Sequence, residues 1–325
     1  MFTSIGGVIE SRPSGRSGLQ TPPLTIALGH GSRRPSVPLR PLVRHAIDLG
    51  ITSFDVTCPS DTSTDQLEEI GFALAPWLKQ RHSIHISARF GLGTWPTARS
   101  GHGSRGQLLA SLNGLLRLTG LDYLDVIYMH RRSSEVDIEE SSRALCDAVR
   151  QGLSLYAGLS SLSPSITSQM STILAELGFP VASYQTTYSL LSRWAEEDLL
   201  EILNRRGIGF TACAPLAHGL LTASRFSYSD PSASIDDYLF ADLVNVASSR
   251  DQMIEQMALS WVLQKRQVSS AIVTATQFRH LSSLRDSLDD KPFSSAALQI
   301  LDQIYKNSQE SYVPTPEHYL SERSA

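Results

Sequence analysis

Short apolar runs alternate eight times with amphipathic stretches along this chain, and that alternation constrains the fold more than any other feature of the sequence. The strand-like runs are LTIALG (24–29), ITSFD (51–55), IHISARF (84–90), YLDVIYMH (123–130), LSLYAGLS (153–160), PVASYQ (180–185), IGFTACA (208–214) and SSAIVTA (269–275). Between and after them lie PLRPLVRHAIDLG, DQLEEIGFALAPWLKQ, RGQLLASLNGLLRLTG, EESSRALCDAVRQG, SITSQMSTILAELG, EEDLLEILNRRG, DQMIEQMALSWVLQ and FRHLSSLRDSL, each with apolar residues at helical spacing. Several of these stop at glycine, the residue that most easily takes the left-handed conformation ending a helix. Parallel strands joined by helices follow from this pattern. Eight such units within 325 residues predict a closed (β/α)8 TIM barrel in a single α/β domain. An open doubly wound sheet is disfavoured, because no GxGxxG follows the first strand. The expected limits are a flexible N-terminus over 1–14, a barrel over 15–312 that opens with a β-hairpin-like segment, and a C-terminal tail over 313–325.

In a barrel of this kind the site forms at the C-terminal ends of the strands. Asp55, Arg89, His130, Ser160, Gln185 and Cys213 all fall at such ends. The segment 222–242 is polar and irregular, and reads as a plain loop ahead of a lid. Charge narrows the partners: 18% charged residues and a formal net charge of -4 give no reason to expect nucleic acid. No run reaches membrane-spanning length, and the N-terminal residues have no continuous apolar segment. Three scattered cysteines suit a reducing compartment, so the expected location is cytoplasmic and the expected partner a small molecule. Histidine spacing shows no metal site: His82 and His85 stand three apart, and His30, His102 and His218 are isolated. The glycine-rich GHGSRG (101–106) does not follow a strand, so it is a weak phosphate cradle. Nothing in the sequence indicates the oligomeric state.

Six motifs in order, RGQLLASLNGLLRL, LDYLDVIYMHR, YAGLSSLS, YQTTYSLLSRW, APLAHGLLT and QMALSWVLQ, resemble the aldo-keto reductase superfamily over about residues 15–288. The resemblance is closest to the glyceraldehyde-3-phosphate-reductase-like and potassium-channel-β-subunit-like branches. It implies a (β/α)8 barrel, NADP(H) across the strand ends, and an Asp, Tyr, Lys, His tetrad that reduces carbonyls. By that resemblance Asp55 is the aspartate and His130 the histidine. The tyrosine position falls on Ser60, with no tyrosine anywhere before Tyr123, and the lysine position on Arg89. The chain's lysines, Lys79, Lys265, Lys291 and Lys306, all lie away from the strand ends. Arginine can hold Asp55, but it stays charged and relays protons poorly.

The implied cofactor contacts also differ. Cys213 stands where an aromatic residue stacks on the nicotinamide, and Thr274, Gln277 and Leu284 replace the glycine, arginine and asparagine of the adenosine-phosphate segment. Arg279 or Arg285 could substitute for that arginine. Ser160 or Ser161 and Gln185 keep the pattern of nicotinamide amide contacts, or serve only as strand-end hydrogen-bonding groups.

With that tyrosine and lysine missing, the favoured expectation is redox-neutral acid-base chemistry: isomerisation, dehydration, cyclisation or rearrangement of a small molecule in a specialised pathway, with no cofactor favoured. Catalysis is assigned to Asp55, Arg89 and His130, with Ser60, Tyr188 and Arg193 as substrate contacts. One alternative is an NADP(H)-dependent aldehyde or ketone reductase whose proton comes from His130 or a water held by Ser60. A non-catalytic binding protein is the third reading.

Overall fold

A computed structural model describes residues 9–29, 37–56, 63–91, 103–130, 134–223, 235–288 and 292–308. Two short strands, β1 (Arg12–Pro13) and β2 (Gln20–Thr21), pair antiparallel. Eight parallel strands then close a barrel: β3 (Leu24–Leu28), β4 (Ser53–Val56), β5 (His85–Phe90), β6 (Leu124–His130), β7 (Ser154–Ser160), β8 (Ser183–Thr187), β9 (Gly209–Cys213) and β10 (Val268–Val273). They run in sequence order, and β10 closes the ring on β3. Each of the eight expected runs contributes one barrel strand.

The helices are α1 (Leu39–Asp48), α2 (Thr64–Leu74), α3 (Arg105–Thr119), α4 (Ile138–Arg150), α5 (Pro164–Glu176), α6 (Leu199–Arg206), α7 (Asp237–Ser249), α8 (Ile254–Leu263), α9 (Phe278–Asp286) and α10 (Ser295–Ser308). Short polar side chains start several of them. Ser104, Asp137, Ser163 and Asp236 each accept a hydrogen bond from a first-turn N–H, which satisfies a donor that the helix itself leaves open. Within GHGSRG, therefore, Ser104 is the cap of α3. Gly120 and Gly207 end α3 and α6 at φ 70° and 69°, where a side chain would be strained.

Two of these helices depart from expectation. The polar loop expected over 222–242 gives way at Asp236 to α7, which buries Leu243, Val246 and Ala247. Those residues have the i, i+3, i+4 spacing of a helix face, but all three lie beyond the stretch that looks irregular. Helix α10, which no sequence signal picked out, buries Leu301 and Ile304.

The two faces of the barrel wall differ in chemistry. Outward residues, including Leu24, Ile26, Leu28, Phe54, Ile86, Ile127, Met129, Leu159 and Phe210, join the helices in one buried apolar core. Burying a side chain of this kind contributes about 1.5–3 kcal/mol. Strand alternation turns the intervening residues inward, and these are rich in hydroxyls. Thr25 bonds Ser53 and Ser270 at 2.8 Å each, Ser53 bonds Nδ1 of His85 at 3.0 Å, and the Tyr128 hydroxyl donates to Ser183 at 2.9 Å. An interior of this polarity is tolerable because most of its groups pair with one another, the buried Nε2 of His85 being an exception.

The β1–β2 hairpin closes the floor, where the strands begin. Leu19 packs on Val126 and Tyr128, Ser14 Oγ donates to the Ala182 carbonyl at 2.9 Å, and Ser269 Oγ donates to the Pro13 carbonyl at 3.0 Å. Arg12 to Ser14 thus lie in a bonded hairpin and not in a flexible N-terminus, a correction that follows from these long-range contacts. Gly15 takes φ +60°, and any Cβ there would strike the Gly207 backbone.

Candidate active site

Strand alternation aims Asp55, Arg89, His130, Ser160, Gln185 and Cys213 into the open end of the barrel. Asp55 is fully buried. It sits 3.4 Å from the Nη2 of Arg89, whose side chain is 18% exposed. Ser87, two residues before Arg89 on the same inward face, donates to Asp55 Oδ1 at 2.7 Å. Gln185 Nε2 donates to that oxygen at 3.4 Å, and Ser160 Oγ donates to Gln185 Oε1 at 3.4 Å. His130 Nδ1 lies 2.7 Å from Ser160 Oγ. One buried network therefore links the three expected catalytic residues with two of the expected cofactor contacts.

Register explains the convergence. Asp55 pairs with Ser87, and His130 pairs with Ser160, which in turn pairs with Gln185. Cys213 ends β9 opposite Thr187 and Ile272. Burial pushes its thiol up to about 12, with Arg89 opposing that shift and Asp55 adding to it. Burial of this kind favours the neutral thiol over the thiolate.

The backbone is strained at the same end. Among the described residues the positive-φ residues other than glycine are Ser161 (50°), Ala214 (47°), Ala217 (48°), His218 (55°) and Asp251 (54°). Ser161 follows β7, and the next three follow β9. Strain of this sort persists where surrounding structure enforces it, and it concentrates at functional sites. The N–H of Ser161 donates to the Gln185 carbonyl at 3.0 Å, tying the ends of β7 and β8 together.

Helix α9 begins beside the end of β10. Gln277 is its N-cap and makes no side-chain cap bond, while Arg279 is exposed in the first turn. Thr276 Oγ1 meets His280 Nδ1 at 3.4 Å, and burial together with Arg279 lowers the pKa of His280. A helix N-terminus with an exposed arginine in its first turn fits an anionic phosphate. Leu284 is buried in the helix packing, and Thr274 is exposed. At the other end of the proposed cofactor span, Ser160, Ser161 and Gln185 are polar groups suited to an amide. The first turn of α9 thus offers N–H groups and an exposed guanidinium suited to an anion.

Two expected substrate contacts are not at the site. Tyr188 is fully buried between Phe210 and Trp261, with ring centroids 5.5 and 5.6 Å away, and its hydroxyl donates to Glu196 at 2.5 Å. Arg193 lies between the rings of Trp261 and Tyr305 and pairs with Asp302 at 2.6 Å. Both belong to the layer between barrel and helices. The reason is parity: Tyr188 shares the outward face of Tyr184 and Thr186. Ser60 and Cys58 lie outside the described residues, as do His30 and His102. Ser87 was not anticipated, although its inward position next to Arg89 on the face of β5 was a usable signal. Among the described residues no cluster of side chains could hold a metal ion.

The closed ring of eight parallel strands with helices outside it is a TIM barrel, and its mouth holds a buried carboxylate, a buried imidazole and a partly exposed guanidinium. The sequence profile of the Aldo/keto reductase family matches residues 27–306, and the chain belongs to that family. Similar proteins include the L-glyceraldehyde 3-phosphate reductases of Escherichia coli O157:H7 and of strain K12. Each is 34% identical over 91% of this chain and 92% of its own length. A probable voltage-gated potassium channel subunit beta of Oryza sativa subsp. japonica is 26% identical over 89% of this chain and 94% of its own. A solved structure of a thermostable aldo-keto reductase, Tm1743, with the inhibitor epalrestat superposes with a TM-score of 0.72 at 25% identity. It covers 90% of this chain and 99% of that one.

These relationships overturn the expectation of redox-neutral chemistry. Relatives that carry the name reductase align over nearly the whole chain, and isomerase, lyase and cyclase readings have no such support. The preference for no cofactor falls with them. The substitutions at Arg89, Cys213 and Gln277 are differences within a reductase family, and do not outweigh a relationship of that extent.

Proposed function

We propose that this chain is an NADP(H)-dependent reductase of an aldehyde or ketone, with His130 as the proton donor. The observation that carries the reading is the single buried network joining Arg89, Asp55, Gln185, Ser160 and His130 at the barrel mouth. A bound nicotinamide would supply the hydride, chemistry that no side chain provides. Asp55 holds the guanidinium of Arg89 at the mouth, where its charge stabilises the oxygen of a carbonyl as negative charge develops. His130 gives that oxygen its proton, a step that positioned general acids accelerate by about 10²–10⁴-fold. Ser160, Ser161 and Gln185 would hold the nicotinamide amide, and the first turn of α9 with Arg279 the phosphate.

No helix among the described residues is long and apolar enough to cross a membrane. We place the enzyme in the cytoplasm, on its scattered cysteines. The test is a titration of the purified protein with NADPH followed by a panel of carbonyl compounds. L-glyceraldehyde 3-phosphate, named in the E. coli relatives, comes first. The expected result is saturable binding and alcohol formed in equal amount to NADPH consumed. Failure to bind NADPH in calorimetry would overturn the reading.

A further inference from the structure

The network between Arg89 and His130 has a direction that can be worked out from one end. Arg89 stays charged at any physiological pH, so the Asp55 carboxyl paired with it is a carboxylate, and a carboxylate only accepts hydrogen bonds. Ser87 donates to its Oδ1 at 2.7 Å, and the Gln185 amide must present Nε2 to the same oxygen at 3.4 Å. That orientation leaves Oε1 of Gln185 facing Ser160. An amide oxygen also only accepts, so the single hydroxyl proton of Ser160 points to it at 3.4 Å. Ser160 Oγ then meets His130 Nδ1 at 2.7 Å as an acceptor. Nδ1 must carry the proton, and a neutral imidazole has only one N–H.

We propose that Ser160 and Gln185 are positioning residues that transmit the charge of Asp55 to His130 and hold its neutral ring as the Nδ1–H tautomer. Nε2 of the neutral ring then bears a lone pair, and His130 can give a proton from Nε2 only as the imidazolium. The resemblance assigns Ser160 and Gln185 to the nicotinamide amide, whereas this task needs no cofactor. For catalysis the inference rests on the reductase reading. Carbonyl reduction uses the cationic ring, so its rate falls as pH rises through the His130 titration. Alcohol oxidation uses the neutral ring, whose Nε2 accepts the alcohol proton, so its rate rises over the same range. The titratable and charged groups sharing this level of the barrel interior among the described residues are Asp55 on β4, Arg89 on β5 and Cys213 on β9, with Tyr128 below His130 on β6.

The test is a long-range proton–nitrogen NMR spectrum of the full chain labelled in its histidines, without substrate, with His130 assigned from the signal lost in His130→Gln. The expected result is a neutral His130 protonated at Nδ1. Ser160→Ala should shift the tautomer ratio toward Nε2–H by about five- to tenfold, the worth of one hydrogen bond, and Ser160→Thr should restore it. Should Ser160→Ala fail to fold by circular dichroism, Gln185→Met serves the same end. It frees the Ser160 proton to turn toward Nδ1, which again favours Nε2–H. A wild-type ring protonated at Nε2, or a tautomer unchanged in the folded variant, would overturn the proposal. Because no turnover is read, a protein that reduced no carbonyl would leave this result standing and would count against the reductase reading alone.

Discussion

Two arginine–aspartate pairs flank β5, one at each end of the barrel, and they are built differently. At the floor, Arg81 and Asp125 meet at 2.6 Å, and each has further partners. Arg81 donates to the carbonyls of Ile84 at 2.7 Å and Tyr123 at 2.9 Å and lies 4.1 Å from the Tyr123 ring centroid, while Asp125 also accepts the Ile86 N–H at 2.7 Å. At the mouth, Asp55 and Arg89 stand 3.4 Å apart, and Oδ1 of Asp55 also accepts from Ser87 and Gln185. The floor pair ties backbone to backbone and acts in folding. The mouth pair ties side chain to side chain, and its charge is positioned for a reaction.

The comparison breaks most easily at His130. His130→Gln should lower carbonyl reduction by about 10²–10⁴-fold while leaving the thermal unfolding transition close to that of the parent, as steady-state kinetics and calorimetry would show. The opposite pattern is expected at the floor. Arg81→Ala leaves the largely enclosed Asp125 without its cation and should cost about 3 kcal/mol in urea unfolding, with turnover per folded molecule unchanged. At the edge of the mouth, Arg279→Gln should weaken NADPH binding by about 1.5–3 kcal/mol and leave NADH binding unaltered in parallel titrations. Equal losses for both cofactors would remove Arg279 from the phosphate site.

A backbone change on the floor should have a smaller effect. Gly15→Ala forces a side chain into a left-handed position against Gly207 and should lower stability by about 1–3 kcal/mol without altering the pH dependence of activity. The smallest effect is a matter of pH. Burial raises the Cys213 thiol from 9.0 to about 12, so the unfolded chain releases this proton first. The stability it contributes is whole below pH 9 and declines as pH rises toward 12. Cys213→Ala should flatten that part of the stability profile, measured by urea midpoints across the alkaline range.

Much of this molecule was legible in its sequence for a physical reason. Strands buried between a barrel interior and a helical layer need an unbroken run of short or apolar residues, and such runs stand out against the helical period of the segments between them. Asp55, Arg89 and His130 were legible because strand ends in a barrel face its mouth. Tyr188, expected to touch substrate, directly follows Thr187, the last residue of β8. Its parity with Tyr184 points outward, where Phe210 and Trp261 enclose it. Arg193 was misread likewise, since its partners Asp302 and Tyr305 come from a helix more than a hundred residues later. The redox-neutral expectation fell for another reason: the differences at Ser60, Arg89, Cys213 and Gln277 are local, whereas the family relationship runs over residues 27–306.

Local patterning alone determined the order of the eight barrel strands and of the helices other than α7 and α10, the barrel they close, and which residues stand at strand ends, because periodicity and capping act between neighbours in the chain. Only the tertiary structure decided which of those residues touch and which way their protons point. The Gln185 amide reaches Asp55 across 130 residues of chain, and its orientation follows from the charge of Arg89 on a third strand. A donor acquires its direction from partners that only folding brings together, and here that direction sets what His130 can do.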